Sequence, residues 1–275
     1  MRDFDVEPKR DLGQSFLVDD NILRLIGAEA ELTAGDVVLE VGGGLGVLSE
    51  HLAPRVGHLH VVEIDPALEA PLREALGPFE GSSTLHMGDA LELCFGELAP
   101  PPDKVVANLP YGVAATVLLK SIEELPAARR WVAMVQREVA ERLAASPGGR
   151  TYGATSVIAQ LSCGVRLARR VPATVFRPVP RVESALCVMS RVRPSPHPAV
   201  VELVHAAFRH RRKTLPGSLA LSVARSGGAE LRARARLALG EVGHPPDARA
   251  ERLSPEDFLA LAERLGPIAA TRSRE

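Results

Sequence analysis

The chain has 275 residues, 46% of them apolar, and a formal net charge of −1, length enough for one large domain or for a large and a small one. No apolar run approaches the roughly 18 residues needed to cross a bilayer, and the N-terminal "MRDFDVEPKRDLGQSFL" carries acids where a leader needs an apolar core, so neither membrane span nor secretory signal is expected. The cysteines, Cys94, Cys163 and Cys187, are odd in number and lack metal-ligand spacing; they read as structural thiols of a reducing cytoplasm, with no metal.

Residues 21–32 (NILRLIGAEAEL) place apolar side chains at helical spacing, with Asp19, Asp20 or Asn21 as N-cap. A short apolar strand follows at Val37–Val41, then a glycine cluster and a helical pattern. "HLHVVEID" reads as a second strand and "PALEAPLREAL" as its helix; "STLHMGDAL" is a third strand ending near Met87, and "DKVVANLPY" a fourth. "RRWVAMVQREVAERLAA" passes from a fifth strand into a helix, "GATSVIAQLSCGV" is helical, and "VRLARRVPATVF" and "ESALCVMSRV" are late strands. Strand–helix alternation of this kind predicts an α/β fold, a Rossmann-like and mainly parallel sheet covered on both faces.

The segment 191–200, "RVRPSPHPAV", holds three prolines and breaks that rhythm. Only helical patterns follow, at Val200–His210, Gly217–Ala224, Glu230–Leu239 and Pro255–Leu265, the last opening on "SPEDF" with a Ser cap, Pro at the first position and acids in the first turn. The expected domains are therefore 1–192, sheet-based, and 199–275, small and helical.

Charge is unevenly spread. Residues 1–110 carry 7 Lys and Arg against 20 Asp and Glu, whereas 111–275 carry 26 against 14. The basic excess is densest from His205 to Arg236, with eight cations and one acid. An acidic half for a small molecule and a basic half for a polyanion fit that division, and nucleic acid is the expected partner.

In "LEVGGGLG" the glycines Gly42, Gly44 and Gly46 lie between a strand and a helix, where backbone must turn sharply and approach a ligand. Glu40 ends the strand before them and can receive the ammonium of an amino-acid-like ligand. Glu63 ends the next strand, where a carboxylate accepts both ribose hydroxyls. Asp89, after the third strand, can accept from an adenine amine, with Ala90 beside it. Acids after three successive strands favour S-adenosylmethionine over a dinucleotide as cofactor, because the former carries an ammonium and no phosphate.

The fourth strand ends on "ANLPYG". The exocyclic amine of adenine is a poor nucleophile, since its lone pair is delocalised into the ring. If the Asn108 side-chain carbonyl and the Leu109 or Pro110 backbone carbonyl accept its two hydrogens, the nitrogen is drawn toward tetrahedral geometry. Pro110 fixes the backbone and offers only an acceptor; Tyr111 can stack on the base. Phe176 is a second ring for the flipped base. Taken alone, the quadruplet also suits cytosine or an amide nitrogen.

Taken together, "GQSFLVDDNIL", "LEVGGGLGVLSEHLA", "VVEIDPAL", "GDAL", "ANLPYGVA", "MVQREVAERLAA", "YGATSVIAQ", "VFRPVPRVESALCV" and "FRHRRKTLPGSL" cover nearly the whole chain. In order and spacing the chain resembles the small-subunit rRNA adenine N6,N6-dimethyltransferases. The resemblance implies dimethylation of two adjacent adenines in a hairpin near the 3′ end of small-subunit rRNA during ribosome assembly. It implies cofactor contacts at Ser15, Leu17, Gly42, Glu63, Asp89 and Asn108, and rRNA contacts from Arg209, Arg211, Arg212 and Lys213. Ser15 stands where the family usually has Asn or His, and Gly112 where it commonly has Asn. A cytoplasmic monomer acting on rRNA or an assembly particle is expected. Other readings are a large-subunit rRNA adenine methyltransferase giving macrolide resistance, a non-catalytic assembly or transcription factor on the same fold, and a glutamine N5-methyltransferase.

Overall fold

The computed structural model of the protein describes residues 8–9, 13–223 and 225–268. In chain order these form β1 (Phe16–Leu17), α1 (Asp20–Ala30), β2 (Val37–Val41), α2 (Val47–Leu52), β3 (His58–Glu63), α3 (Glu69–Leu76), β4 (Ser83–Met87), β5 (Lys104–Asn108), α4 (Ala114–Glu124), β6 (Arg130–Gln136), α5 (Arg137–Leu143), α6 (Ala154–Ser162), β7 (Cys163–Val171), β8 (Phe176–Arg177), β9 (Ser184–Arg191), α7 (Pro198–Phe208), α8 (Leu215–Ser222), α9 (Arg225–Glu241) and α10 (Pro255–Leu265). Ala224, expected to end a helix, lies outside the described residues. Among those described, no helix is long and apolar enough to cross a membrane.

Two compact units result: residues 1–141 with 163–192, and residues 142–162 with 193–275. The sequence reading put 142–162 with the sheet, but these residues pack with the helices. Tyr152 explains the attachment: it is fully buried, and its hydroxyl donates to the Leu253 carbonyl at 2.8 Å. Phe208 bridges Tyr152 and Phe258 by ring contacts at 6.3 and 5.9 Å. In α10, the predicted Ser254 cap closes a full capping box with Asp257.

In the first unit, seven strands run in the order β4-β3-β2-β5-β6-β9-β7. The pairs from β4 through β6 are parallel; β9 enters antiparallel to both β6 and β7, which the sequence did not distinguish. β1 and β8 form a separate two-stranded antiparallel ladder, Phe16 opposite Arg177 and Leu17 opposite Phe176. Apolar runs in β2, β3, β5 and β6 are buried throughout the strands, as a sheet covered on both faces requires. At the opposite end from the glycine loop, buried Lys104 is held by Asp36 at 2.7 Å and by the Glu31 carbonyl, so its charge is compensated.

Chain order reverses between β2 and β5. In sheets of this type the crevice for ligands opens at such a switch, outside the carboxyl ends of the strands.

Candidate active site

At that switch point two adjoining cavities open. One is lined by Gly13–Leu17, the glycine loop, Glu63, Ile64 and Asn108–Tyr111. The other, about 360 Å³, is lined in part by Val41, Glu63, Ile64, Gly88, Asp89, Ala90 and Gly112. Ser15, Leu17, Gly42, Gly44, Glu63, Asp89, Ala90 and Asn108 thus line one or both of these cavities.

Two glycines are required by their surroundings. Gly42 has φ +82°, and a Cβ there would come within 3.2 Å of the Asn108 carbonyl; Gly46 has φ +83°, and its Cβ would lie 2.5 Å from that of Ala75. Gly112 has open space on its Cβ side and no such φ, so the Asn common at this position would be accommodated.

Glu63 ends β3 with its carboxylate fixed: Oε2 accepts from the Gly44 N–H and Oε1 from the Asp65 N–H, both at 2.9 Å. Asp89 accepts from the Leu91 N–H at 2.8 Å, so it caps a turn and lines the cavity at once.

Glu40 stands apart. It is fully buried and lines neither cavity; Oε2 accepts from Ser49 Oγ at 2.6 Å, a bond that ties together the two ends of the glycine loop. Its Oε1 is a buried acceptor with no partner. Burial raises its carboxyl to about 8, the Ser49 bond working against that and the nearby Glu63 charge adding to it.

These features fit S-adenosylmethionine. Among the described residues no Lys, Arg or His lines either cavity, and the charged groups there are acids, which suits a phosphate-free cation. Glu63 offers fixed acceptors for a ribose diol, and Asp89 places a second carboxylate in the adjoining cavity.

The Asn108 amide nitrogen donates to the Ser15 carbonyl at 3.2 Å, which leaves its oxygen as the free acceptor. Ser15 therefore acts through its backbone, and the shorter side chain costs that contact nothing. Pro110's carbonyl accepts weakly from the Val113 N–H at 3.3 Å; the Leu109 carbonyl takes no backbone donor among the described residues and is the better second acceptor. Tyr111's hydroxyl meets Ser184 Oγ at 3.0 Å, and burial, partly offset by that bond, raises its phenol further above neutrality.

Phe176 requires a correction. It is 1% exposed and lines neither cavity; pairing of β8 with β1 turns its ring into the core opposite Leu17, so in this conformation it presents no face to a base.

Sequence reading missed Ile64, which lines both cavities and is 44% exposed, and it missed Asp65. Asp65 is buried and accepts from Lys9 Nζ at 2.6 Å, Gln14 Nε2 at 2.8 Å and the Ala67 N–H at 3.0 Å. Burial alone would raise its carboxyl, but these bonds outweigh it and hold the group below the usual range. Asp65 thus anchors Gln14, the neighbour of Ser15, whose carbonyl orients Asn108. In "VVEID" the acid that ends the strand, Glu63, draws attention more readily than the aspartate two residues on.

In the helical unit, Arg209, Arg211, Arg212 and Lys213 are exposed and occupy the turn between α7 and α8. Arg211 reaches the Tyr152 carbonyl at 3.5 Å; the other three side chains make no hydrogen bond or ion pair among the described residues.

Similarity to known proteins agrees with the site. A small-subunit rRNA methyltransferase A of Rubrobacter xylanophilus is 48% identical over 262 residues, covering 94% of this chain and 96% of the relative. The methyltransferase A of Kineococcus radiotolerans is 44% identical, covering 94% and 86%. The crystal structure of 23S rRNA methyltransferase ErmE superposes with a TM-score of 0.67 at 28% identity, covering 91% of this chain and 99% of that one. A dimethyladenosine transferase from Plasmodium falciparum shares the fold, with a TM-score of 0.77 at 23% identity, covering 92% and 98%. The family model for ribosomal RNA adenine dimethylases matches residues 6–263, and with an acidic cofactor cleft ending on Asn108–Tyr111 the chain belongs to that family.

Proposed function

We propose that this enzyme transfers methyl groups to the N6 amines of two adjacent adenines in a hairpin near the 3′ end of small-subunit rRNA, in the cytoplasm, as a monomer acting on rRNA or an assembling particle. The observation that carries the chemistry is the orientation of Asn108. With its amide nitrogen committed to Ser15, the Asn108 oxygen and the Leu109 carbonyl form a pair of acceptors beside Tyr111. Accepting both hydrogens of an exocyclic amine localises the lone pair on nitrogen. Pro110 stiffens the turn and removes a competing N–H. Tyr111, anchored through Ser184, offers a ring face to the base, and its phenol stays protonated at neutral pH. Phe176, buried beneath Leu17, supports the cleft wall instead of stacking. When bound, S-adenosylmethionine supplies an electrophilic methyl on its sulfonium. Glu63 and Asp89 would hold its ribose and adenine ends, while Glu40, buried behind the glycine loop, ties the two ends of that loop together through Ser49. Catalysis is then positioning and hydrogen bonding without a dedicated base.

Arg209, Arg211, Arg212 and Lys213 contact rRNA phosphates in this reading. Of the other readings, a large-subunit target draws support only from fold likeness to ErmE, while the relatives at 44–48% identity are small-subunit enzymes. Intact Glu63, Asp89 and Asn108–Tyr111 speak against a non-catalytic factor, and a protein amide substrate has no use for the basic turn.

Incubation with labelled S-adenosylmethionine and undermodified small-subunit particles, followed by mapping, should place four methyls on two neighbouring adenines. Methylation confined to large-subunit rRNA, or none by a folded protein, would refute the proposal.

A further inference from the structure

In the sheet unit nearly every described cation is engaged. Lys9, Lys104 and Lys120 are paired with Asp65, Asp36 and Glu124, and Arg73, Arg129, Arg130, Arg137 and Arg166 with carboxylates. Arg24 bonds Asn21, and Arg55, Arg177 and Arg191 bond backbone carbonyls. The exceptions are Arg169, Arg170 and Arg181, all exposed and without a hydrogen bond or ion pair among the described residues.

These three share one end of the sheet. β7 and β6 both run antiparallel to β9, and Val171 and Gln136 both lie opposite Ser184, so Arg169 and Arg170 sit at the carboxyl end of β7, on the edge that holds Asn108. Ser184 is the residue that anchors Tyr111. Arg181 precedes it by three positions, in a loop that also exposes Val179 (54%) and Val182 (45%). From 163 to 183 there are five arginines and one acid, Glu183, which Arg137 already binds.

We propose that Arg169, Arg170 and Arg181 form a phosphate-binding track on the sheet unit for the single-stranded RNA carrying the target base, in addition to the turn at 209–213. The inference rests on the rRNA reading given above. A base can enter the cleft only after leaving its stack, and the strand must then pass the cleft mouth, where these guanidinium groups meet its phosphates and Val179 and Val182 its bases and riboses. The bland explanation is that β7 is an edge strand guarded by charge against strand addition. A guard needs no concentration at one end, however. Arg166, farther back on the same strand, is neutralised by Glu29, and Arg181 is not on the strand at all.

The test is binding of an unmethylated transcript of the 3′ hairpin across a salt series, with the triple variant R169Q/R170Q/R181Q. Each lost single-strand phosphate contact removes about 0.7 from the slope of log K against log salt, so the slope should flatten by roughly 2. Affinity near 0.15 M salt should fall about 10- to 100-fold, with S-adenosylmethionine affinity and melting temperature unchanged. The triple Lys variant should restore the slope, since a point charge suffices for a phosphate. An unchanged slope in the Gln variant overturns the inference, as does self-association with RNA binding intact, the signature of an edge guard. Failure of the wild-type protein to bind or methylate small-subunit RNA would instead strike the rRNA reading itself.

Discussion

Beyond the carboxyl ends of β3 and β4 the sheet presents acids, Glu63 and Asp89, whereas from β5 through β9 to β7 the same edge presents an amide, a phenol, a hydroxyl and guanidinium groups unpaired among the described residues. One ligand is a small cation with a ribose, the other a polyanion. Splitting one edge by charge lets both approach from adjoining strands without competing for the same groups. Asn108 stands at the border: its cavity is shared with Glu63 on one side and Tyr111 on the other.

Replacing that border residue should separate the two halves most clearly. Asn108→Ala is expected to reduce turnover at least about 100-fold, the scale of losing one oriented group at a reacting centre. Cofactor affinity, measured by calorimetry, should weaken only a few-fold; wild-type turnover would remove the acceptor role.

On the acidic side, Glu40 gives a test by pH. Its folded carboxyl titrates at about 8, above the ordinary 4.5, so the folded state keeps a proton that the unfolded chain has lost between those values. The stability it contributes is complete below the ordinary value and is lost as pH rises to about 8, by roughly 1.4 kcal/mol per pH unit at most. Glu40→Gln cannot ionise. In cofactor-free protein its melting temperature should therefore gain on the wild type as pH rises from 5 to 8 and hold a constant lead above that. A pH-independent gap would show that Glu40 is ionised throughout.

Asp65 links the two sides more gently. Asparagine can still accept from the Ala67 N–H but cannot accept from Gln14 and Lys9 with both oxygens, so Asp65→Asn keeps the turn and loosens the strap. Turnover should fall about tenfold, the equivalent of one ordinary hydrogen bond, with KM for RNA little changed; a loss confined to thermal stability would mean that Asp65 serves the fold alone.

Much of the acidic side was legible in sequence because its signals are local. A strand followed by Gly or an acid announces a loop at a sheet edge, and the expected strands Val37–Val41 and the one ending near Met87 agree with the fold. The other side depends on long-range pairing. β1 and β8 are two residues each, too short for periodicity, yet their pairing decides that Phe176 faces the core. The direction of β9 cannot be read from its apolar run, nor can a backbone carbonyl such as that of Ser15 be singled out by residue type. The segment 142–162 has helical pattern either way; the burial of Tyr152 against Leu253 and Phe208 assigns it to the helical unit.

The antiparallel entry of β9 has a consequence for the order in which a working enzyme comes into being. Glycine loop, Glu63, Asp89 and Asn108 all emerge early from the ribosome, whereas the hydroxyl that steadies Tyr111 belongs to Ser184, 73 positions later. A nascent chain can assemble its cofactor cleft long before it can hold a base. The steadied Tyr111 arrives only with the last strand, just before the rest of the helical unit is made.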